Sequence, residues 1–386
     1  MAAPLRIGVI AGEESGDLLA ADLLREVARQ SGRKLELVGV GGNHLASLGL
    51  RSLFDPDEIS LMGVGAVVAN LPRLLHRIRS LARALAAAEL DALLTVDVPD
   101  FSLRVASRVR KAKPGIPAVH YVCPSVWAWR PERAVRMRSY VDHILCLLPF
   151  EPEALERLDG PPGTYVGHRL SHDPDLLRAH AAQQAPKPTD TPTLLVLPGS
   201  RRSEVKRLLP DFRETVSILH ERGNRFRLVI PTTERVRPLV EEAVSNWPHR
   251  PDVVVDAAEK IAAMGEARAA LAASGTVSLE LALAGVPHVT CYRLDAVSRA
   301  FRYLVTTWSA NLPNLIADRP IVPEFIDETV RAPNLARQVE ALAADSTLRR
   351  WQLEGFGEVR RRLETARPAG TIGAEVLLGL LRPLKT

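Results

Sequence analysis

Short apolar runs alternate with longer amphipathic stretches along the whole chain, and this alternation restricts the fold more than any other feature. It is typical of parallel β-sheets whose strands are joined by crossover helices. It predicts a first series of strands at Arg6–Ile10, Leu35–Val40, Ala92–Val96, Ala118–Val122, His143–Leu147 and Gly163–Val166. Helices are expected between them, notably at Gly16–Gln30 and Leu71–Ala88. A second series of strands is predicted at Thr193–Leu197, Phe226–Ile230, Val253–Val255, Ala269–Ala273 and His288–Cys291.

The chain has 386 residues, more than the roughly 250–300 that one hydrophobic core usually supports. We therefore predict an α/β protein with two Rossmann-like lobes and a cleft between them. The first lobe would comprise residues 1–175 and the second residues 193–365, with a linker at 176–192 and a closing helix at 366–386. Ligands of such sheets bind beyond the carboxyl ends of the strands, so the loops there are the candidate sites.

Composition argues against several classes of protein. The net charge of +5 and the aromatic content of 5% come without a basic block rich in aromatics, so nucleic acid is not expected as a partner. The three cysteines are far apart and predict buried free thiols, and no Cys and His spacing predicts a metal site. The N-terminus lacks the features of a signal peptide, and no apolar run approaches the ~18 residues of a membrane span.

The loop Ala11–Asp17 follows the first predicted strand and contains two glycines and three carboxylates. It does not match the GxGxxG pattern of dinucleotide-binding proteins. Ser15 is expected to cap the following helix. Glu13 and Asp17 are candidate catalytic groups, because they follow the carboxyl end of a strand.

The segment Thr95–Phe101 ends another apolar strand, and Asp97 and Asp100 flank Pro99 in it. One of these aspartates is expected to cap the next helix, and a carboxylate here is also a candidate general base for an incoming hydroxyl. A third loop, His120–Arg133, carries two tryptophans between prolines. It predicts either buried aromatic packing or a wall against a sugar face or an acyl chain.

Two loops of the second lobe are suited to phosphate. In Leu194–Pro210, Pro-Gly-Ser-Arg-Arg-Ser leads from a strand into a helix and predicts an anion site, although solvated arginines are the alternative. This loop lacks the Lys-Ser/Thr of a P-loop, so hydrolysis of a nucleoside triphosphate is not implied. In Ala272–Pro287, Ser274-Gly275-Thr276 opens a helix, and Glu280 lies one turn later on the same face, suited to ribose hydroxyls. The two lobes together predict transfer of a sugar from a nucleotide-diphosphate donor to a hydroxyl.

A basic, apolar stretch runs from Ile59 to Ala88 without an acidic residue. Its apolar face bordered by arginines predicts either an interfacial segment on anionic lipid or an amphipathic helix packed on the sheet. The two interpretations are compatible if the helix packs inward while the Met62–Asn70 loop enters lipid.

These segments resemble the lipid-A-disaccharide synthase family, glycosyltransferases of bacterial lipid A assembly. The resemblance spans nearly the whole chain and rests on AGEESGD, LMGVGAVV with LPRLL, DVPDF, HYVCPSVWAWR, LPGSRRSEV, SGTVSLELALAGVP and NLPNLIADR, in that order. It implies a B-type glycosyltransferase (GT-B) fold and an inverting reaction with neither a metal nor another cofactor. The donor would be UDP-2,3-diacylglucosamine, and the acceptor would be 2,3-diacylglucosamine 1-phosphate. The products would be the β-1,6-linked disaccharide 1-phosphate and UDP.

The resemblance also implies roles for single residues. Asp100 would be the base for the 6-hydroxyl of the acceptor, and Glu280 would hold the ribose of the donor. The donor's phosphates and the cleft around them would be lined by Gly199, Ser200, Arg201, Arg202, Ser274, Gly275, Thr276, Tyr292, Arg293, Asn311 and Asn314.

The family acts at the cytoplasmic face of the inner membrane, which implies a peripheral protein with Met62–Leu75 as its lipid contact. The segment Thr371–Leu381 resembles a closing helix that either returns to the first lobe or exchanges between the protomers of a homodimer.

Two alternatives share the predicted fold: a UDP-N-acetylglucosamine transferase of cell-wall synthesis and a 2-epimerase. The arginine-bordered apolar stretch and the tryptophan loop favour an acylated substrate over both. A non-catalytic protein that binds nucleotide sugars is the alternative from another class. It is disfavoured because Asp100 accompanies Arg201 and Glu280, and a pure binder needs no base.

Overall fold

The computed structural model describes residues 3–59, 71–185, 191–294, 299 and 302–381. The chain divides into two compact units: residues 1–168 with 365–386, and residues 169–364. Each unit is built on one parallel sheet with helices, as the alternation of apolar runs predicts. Among the described helices, none combines the length and the apolar composition that a bilayer crossing requires.

The described strands of the first unit form a parallel sheet in the order β2-β1-β3-β4-β5-β6. They are β1 (Leu5–Ala11), β2 (Leu35–Val40), β3 (Ala92–Val96), β4 (Ala118–Tyr121), β5 (His143–Cys146) and β6 (Gly163–Tyr165). The helices that accompany them are α1 (Glu14–Ser31), α2 (Asn43–Ala46), α3 (Leu71–Ala87), α4 (Pro99–Ala112), α5 (Glu132–Met137) and α6 (Glu151–Arg157). Strand order reverses between β1 and β3, so the loops after these strands lie where such sheets bind ligands.

Two apolar layers cover the sheet of the first unit. On one face, Leu24 of α1 packs with Val9 of β1 and Leu94 of β3. On the other face, Leu85 of α3 and Phe101 of α4 belong to a second cluster. Both faces of the central strands are therefore buried, which explains why these strands are continuous apolar runs.

Helix α3 forms the described part of the arginine-bordered stretch, and its burial shows how that part packs. Ile78, Leu81 and Leu85 are buried, so the apolar face of the helix packs inward. Arg73 and Arg77 both bind the Glu58 carboxylate, at 3.1 and 2.8 Å. The loop Met62–Asn70, which carries the predicted lipid contact, lies outside the described residues.

The described strands of the second unit form a parallel sheet in the order β12-β11-β10-β7-β8-β9. They are β7 (Thr193–Leu197), β8 (Arg227–Pro231), β9 (Asp252–Val254), β10 (Ala267–Ala273), β11 (His288–Tyr292) and β12 (Glu324–Ile326). The helices are α7 (Pro174–Gln183), α8 (Arg202–Glu221), α9 (Arg237–Val244), α10 (Ala257–Glu266), α11 (Thr276–Ala284), α12 (Leu312–Ala317), α13 (Ala332–Ala343) and α14 (Thr347–Leu363). Here the order reverses between β7 and β10.

The last described helix, α15 (Ala369–Leu381), belongs to the first unit. Its Ala374 and Leu377 are buried in the same cluster as Leu23 of α1. Gly373 allows this approach, because a Cβ atom there would lie 2.8 Å from a Leu23 methyl carbon. The closing helix thus packs on the first unit.

Three local features differ from the sequence predictions. The segment predicted as a linker contains much of α7, which begins at Pro174 after Asp173 caps it through the backbone N–H groups of Asp175 and Leu176. The short edge strand β12 was not predicted, because three residues form no recognisable apolar run. Ser15 does not cap α1: the helix begins at Glu14, ahead of it, and no side chain caps this helix.

Candidate functional site

In the first unit, the loop after β1 lies against the segment that follows β3. A Cβ atom at Gly12 would lie 2.9 Å from side-chain carbons of both Ile59 and Val98, closer than real carbon atoms approach. Glycine is therefore needed at this position for the loops to meet. Glu13, the next residue, is half-buried and leads into α1 in an extended conformation.

Asp17 is buried with both carboxylate oxygens occupied. Oδ1 accepts the backbone N–H of Gly42 and Oδ2 accepts that of His44, both at 2.7 Å. These bonds tie α1 to the start of α2, in the segment that follows β2. The geometry makes Asp17 an anchor between these elements.

The turn after β3 is strained. Asp97 and Val98 have left-handed backbones, with φ of 50° and 44°, a conformation that costs about 1–3 kcal/mol for such residues. The Asp97 carboxylate accepts the Val98 N–H at 2.8 Å, and Ser102 Oγ donates to the Asp97 carbonyl at 2.6 Å. Burial raises the pKa of Asp97. The turn ends at Pro99 in the first helical position of α4, and this places Asp100 in the first turn.

Asp100 presents its carboxylate to solvent, with 66% of the side chain exposed. Oδ1 accepts a hydrogen bond from Nη2 of Arg133 in α5 at 2.5 Å. The two predicted aspartates thus have different surroundings: Asp97 binds its own turn, whereas Asp100 faces outward.

The two tryptophans of the loop after β4 have different surroundings. The Trp127 ring packs edge-on against Phe150 at 5.0 Å, and its Nε1 donates to Glu151 Oε1 at 3.3 Å. Trp129 is 39% exposed, with the Arg130 guanidinium 4.2 Å from its ring centre. Trp127 therefore anchors the loop, and Trp129 offers an open aromatic surface beside it.

Glu151 is a buried carboxylate that the sequence did not single out. Its Oε2 accepts the backbone N–H groups of Leu147 and Leu148 at 3.0 and 2.9 Å. Burial raises the pKa of Glu151 to about 7, against the opposing effect of these bonds. The thiols of Cys123 and Cys146 lie within 4.8 Å of this carboxylate and of each other. All three cysteines of the chain are buried and free, as predicted.

In the second unit, the loop between β7 and α8 carries its own carboxylate. Glu204 Oε2 accepts the backbone N–H groups of Ser200 and Arg201 at 3.1 and 3.2 Å. Gly199 precedes them with φ of 107°, a conformation that favours glycine. Arg201 and Arg202 are exposed. The predicted anion site thus has exposed guanidinium surface, but Glu204 already pairs with the Arg201 guanidinium at 3.1 Å and occupies the two backbone donors.

The start of α11 differs from the loop before α8, because no side chain caps it. Gly275 precedes the helix, and Thr276 begins it. Ser274 Oγ donates to the Ala310 carbonyl at 3.1 Å, which fixes the preceding residue. Glu280, one turn later, pairs with Lys260 at 2.7 Å. Because β7 and β10 are parallel neighbours, the Arg201 and Ser274 loops leave the same edge of the sheet.

Asn311 and Asn314 form bonds within the second unit. Asn311 Oδ1 accepts from Ser278 Oγ at 3.1 Å, and its Nδ2 donates to Thr290 Oγ1 at 3.0 Å. Asn314 Oδ1 accepts the backbone N–H groups of Ile321 and Val322 at 2.9 and 2.8 Å. Both residues are buried, and their bonds fix the segment that begins at Ala310, to which Ser274 is bonded.

Tyr292 and Arg293 lie at the carboxyl end of β11. Arg293 binds both carboxylate oxygens of Asp211 at 2.7 Å, and this pairing raises the pKa of Arg293. Its guanidinium also donates to the Val330 carbonyl at 3.2 Å. Tyr292 is half-buried beside it. Arg293 therefore ties α8 to the end of β11.

A family model described as lipid-A-disaccharide synthetase matches residues 7–364 of this chain. A lipid-A-disaccharide synthase of Rhodopseudomonas palustris (strain BisB18) is 46% identical over 378 residues, covering 97% of this chain and 96% of that protein.

Two solved structures show the same fold. MurG of Acinetobacter baumannii is similar with a TM-score of 0.59 at 14% identity, covering 98% of this chain and 100% of that one. UDP-GlcNAc 2-epimerase of Neisseria meningitidis, bound to UDP-GlcNAc, has a TM-score of 0.58 at 12% identity, covering 98% and 99%. At such identities the likeness shows the fold alone, and it confirms the predicted GT-B fold.

Proposed function

The chain belongs to the lipid-A-disaccharide synthase family and is a glycosyltransferase that forms the lipid A disaccharide; we propose how its two units divide this work. The donor is UDP-2,3-diacylglucosamine and the acceptor is 2,3-diacylglucosamine 1-phosphate. The first unit activates the acceptor, and the second unit binds the donor. One observation carries this division: an open carboxylate, Asp100, lies near the switch point of the first sheet, and the uncapped start of α11 lies at that of the second.

The donor's diphosphate binds at the start of α11. The first N–H groups of a helix point outward and carry partial positive charge, which favours a phosphate group. Arg201 leaves the same edge of the sheet and adds a full positive charge. Gly199, Ser200 and Arg202 shape this side of the site. Glu280, which pairs with Lys260, accepts hydrogen bonds from the ribose hydroxyls.

Asp100 is the general base. As the acceptor's 6-oxygen attacks C1 of the donor sugar, the hydroxyl proton moves to the Asp100 carboxylate. The bond from C1 to the diphosphate breaks on the opposite face, so the configuration at C1 inverts and UDP leaves. A positioned base of this kind contributes about 10²–10⁴ in rate. The helix start and Arg201 stabilise the negative charge that develops on the departing diphosphate.

The remaining predicted residues support these groups. Asp17 holds α1 against the segment after β2, and Glu13 precedes the same helix. Asn311 and Asn314 hold the segment to which Ser274 is bonded. Arg293, with Tyr292 before it, fixes the end of β11 against α8 through Asp211.

The first unit also contacts the cytoplasmic face of the inner membrane, through Met62–Leu75. Leu71, at the start of α3, is 43% exposed, and Arg79 and Arg83 are exposed further along this helix. Apolar side chains flanked by arginines suit an anionic lipid surface, where acylated substrates reside.

The test of this function is UDP release from the diacylated donor by the full chain, with and without the monosaccharide phosphate. We expect release only when the acceptor is present, together with a disaccharide product. Release without acceptor would show hydrolysis instead. Conversion of the donor to an isomer without UDP release would indicate an epimerase, and binding without turnover would indicate a non-catalytic protein.

A further inference from the structure

The Asp100 carboxylate has one cationic partner among the described residues, Arg133, which is 33 positions later in the chain. We propose that Arg133 is the positioning residue of the reaction, holding the Asp100 carboxylate in the orientation that accepts the proton. This inference rests on the proposed role of Asp100 as the base.

Arg133 is the more buried partner of this ion pair. The Arg133 side chain is only 20% exposed, against 66% for Asp100. Arg133 lies on α5, and its backbone N–H donates to the Arg130 carbonyl at 3.0 Å. Ala134 and Met137 of the same helix are buried in the core. The guanidinium is therefore the less solvent-exposed partner of the pair, and in our proposal it orients the exposed carboxylate.

The groups around Arg133 leave its charge directed at Asp100. The ring of His120 is fully buried, and burial, with a smaller contribution from Arg133, lowers the pKa of His120 to about 3. His120 is thus neutral at physiological pH and adds no second positive charge beside Arg133. Tyr140, another titratable neighbour, has a pKa raised by burial, which Arg133 and Arg136 oppose. Asp100 remains the carboxylate that Arg133 binds.

The contact leaves one carboxylate oxygen for chemistry. Arg133 binds Oδ1, and the second oxygen of Asp100 takes the proton from the acceptor's hydroxyl. Arg133 keeps its own proton throughout, and the carboxylic acid formed on Asp100 returns the proton to solvent after UDP leaves. Holding a reacting group within about 1 Å of its productive position is worth about 10² in rate.

The test compares Arg133→Gln with Arg136→Gln, an exposed arginine three residues later on the same helix. We expect Arg133→Gln to lower kcat about 10²-fold, with KM for both substrates and the affinity for UDP within about threefold. Arg136→Gln is expected to match the wild type. Arg133→Lys keeps the charge without the planar fork, so it should recover part of the lost kcat. If Arg133→Gln does not fold, the partial loss of kcat in Arg133→Lys, at unchanged KM, decides the matter.

A double-mutant cycle separates positioning from general support of the fold. If Arg133 acts through Asp100, then Arg133→Gln changes nothing further in an Asp100→Asn background. Independent, multiplicative losses would overturn the inference, as would wild-type kcat in Arg133→Gln. Wild-type turnover in Asp100→Asn alone would instead overturn the proposed base, so the two failures are distinguishable.

Discussion

Glu204 binds Arg201 twice: Oε2 accepts its backbone N–H at 3.2 Å, and Oε1 accepts its guanidinium Nη1 at 3.1 Å. The residue proposed to bind the donor's diphosphate is thus paired with a carboxylate of its own helix. The Glu204 side chain is 19% exposed and the Arg201 side chain is 55% exposed. Arg201 can exchange this partner for a phosphate, while Glu204 keeps the two backbone N–H groups.

Arg201→Ala is expected to weaken UDP binding by about 1.5–3 kcal/mol, the usual contribution of a hydrogen bond to a charged group. This corresponds to a rise in Kd of about 10- to 150-fold, measurable by titration calorimetry. Arg350→Ala, which removes an exposed arginine paired with Asp345, is the control and should leave Kd unchanged. Equal UDP affinity in Arg201→Ala would remove this residue from the donor site.

Glu204→Gln is expected to act in the opposite direction. The amide oxygen still accepts the backbone N–H groups, but the negative charge next to the proposed diphosphate site is gone. One charge at about 4 Å in water is worth about 1 kcal/mol, so UDP should bind about fivefold more tightly. The gain should shrink in high salt, because screening weakens the same repulsion. Unchanged affinity at low salt would mean that no phosphate approaches this loop.

Asp100→Asn is expected to lower turnover by about 10²–10⁴-fold, because an amide cannot accept the hydroxyl proton. UDP affinity should stay at the wild-type value, since the proposed donor site lies in the second unit. Asp57→Asn, another exposed aspartate of the first unit, serves as the control and should turn over normally. A wild-type rate in Asp100→Asn would exclude it as the base.

The central strands of both sheets were predictable, because burial on both faces makes them apolar throughout. For β7 and β10 every residue except Arg268 is buried. The switch-point loops followed from those strands by topology alone. The motifs at Asp100 and Ser274 could therefore be assigned to the ends of strands from the pattern of apolar runs.

The partners of these site residues were not predictable from local pattern. Arg133 meets Asp100 across 33 positions, and Glu151 meets Trp127 across 24. Such contacts depend on how loops from neighbouring strands converge, which spacing does not encode. Glu204 is different, because a glutamate three residues after the N-cap is a local capping signal that the sequence already contains.

The buried Glu151 predicts a specific dependence of stability on pH. Its pKa is about 7 in the folded chain, above the usual value near 4.5. The folded state therefore holds the proton more tightly, and the stabilisation is complete below pH 4.5 and lost as the pH rises through 7. Each unit of raised pKa corresponds to about 1.4 kcal/mol. Relative to Glu151→Gln, the free energy of unfolding of the wild type should fall by a few kcal/mol between pH 4.5 and 8, as measured by chemical denaturation. If the free energies of the two proteins change in parallel with pH, the prediction is wrong.

The proposed lipid contact of the first unit can be tested in the loop that precedes α3. Because α3 packs Ile78, Leu81 and Leu85 inward, its apolar face is not available to a membrane, and the proposed contact falls on the preceding loop. The triple variant Val64→Ser, Val67→Ser, Val68→Ser should lower binding to anionic vesicles at least about tenfold, since a buried valine contributes about 1.5 kcal/mol. The melting temperature should not change.

Two further variants identify the source of any loss of vesicle binding. Arg79→Gln with Arg83→Gln removes two exposed charges and should weaken binding only at low salt, because charge attraction to the lipid is screened. Leu177→Ser, an exposed leucine of the second unit, should bind vesicles like the wild type. A collapse of the melting temperature in the triple valine variant would place those side chains in the core. Vesicle binding would then have to arise elsewhere, since a residue that stabilises the fold from inside cannot also insert into lipid.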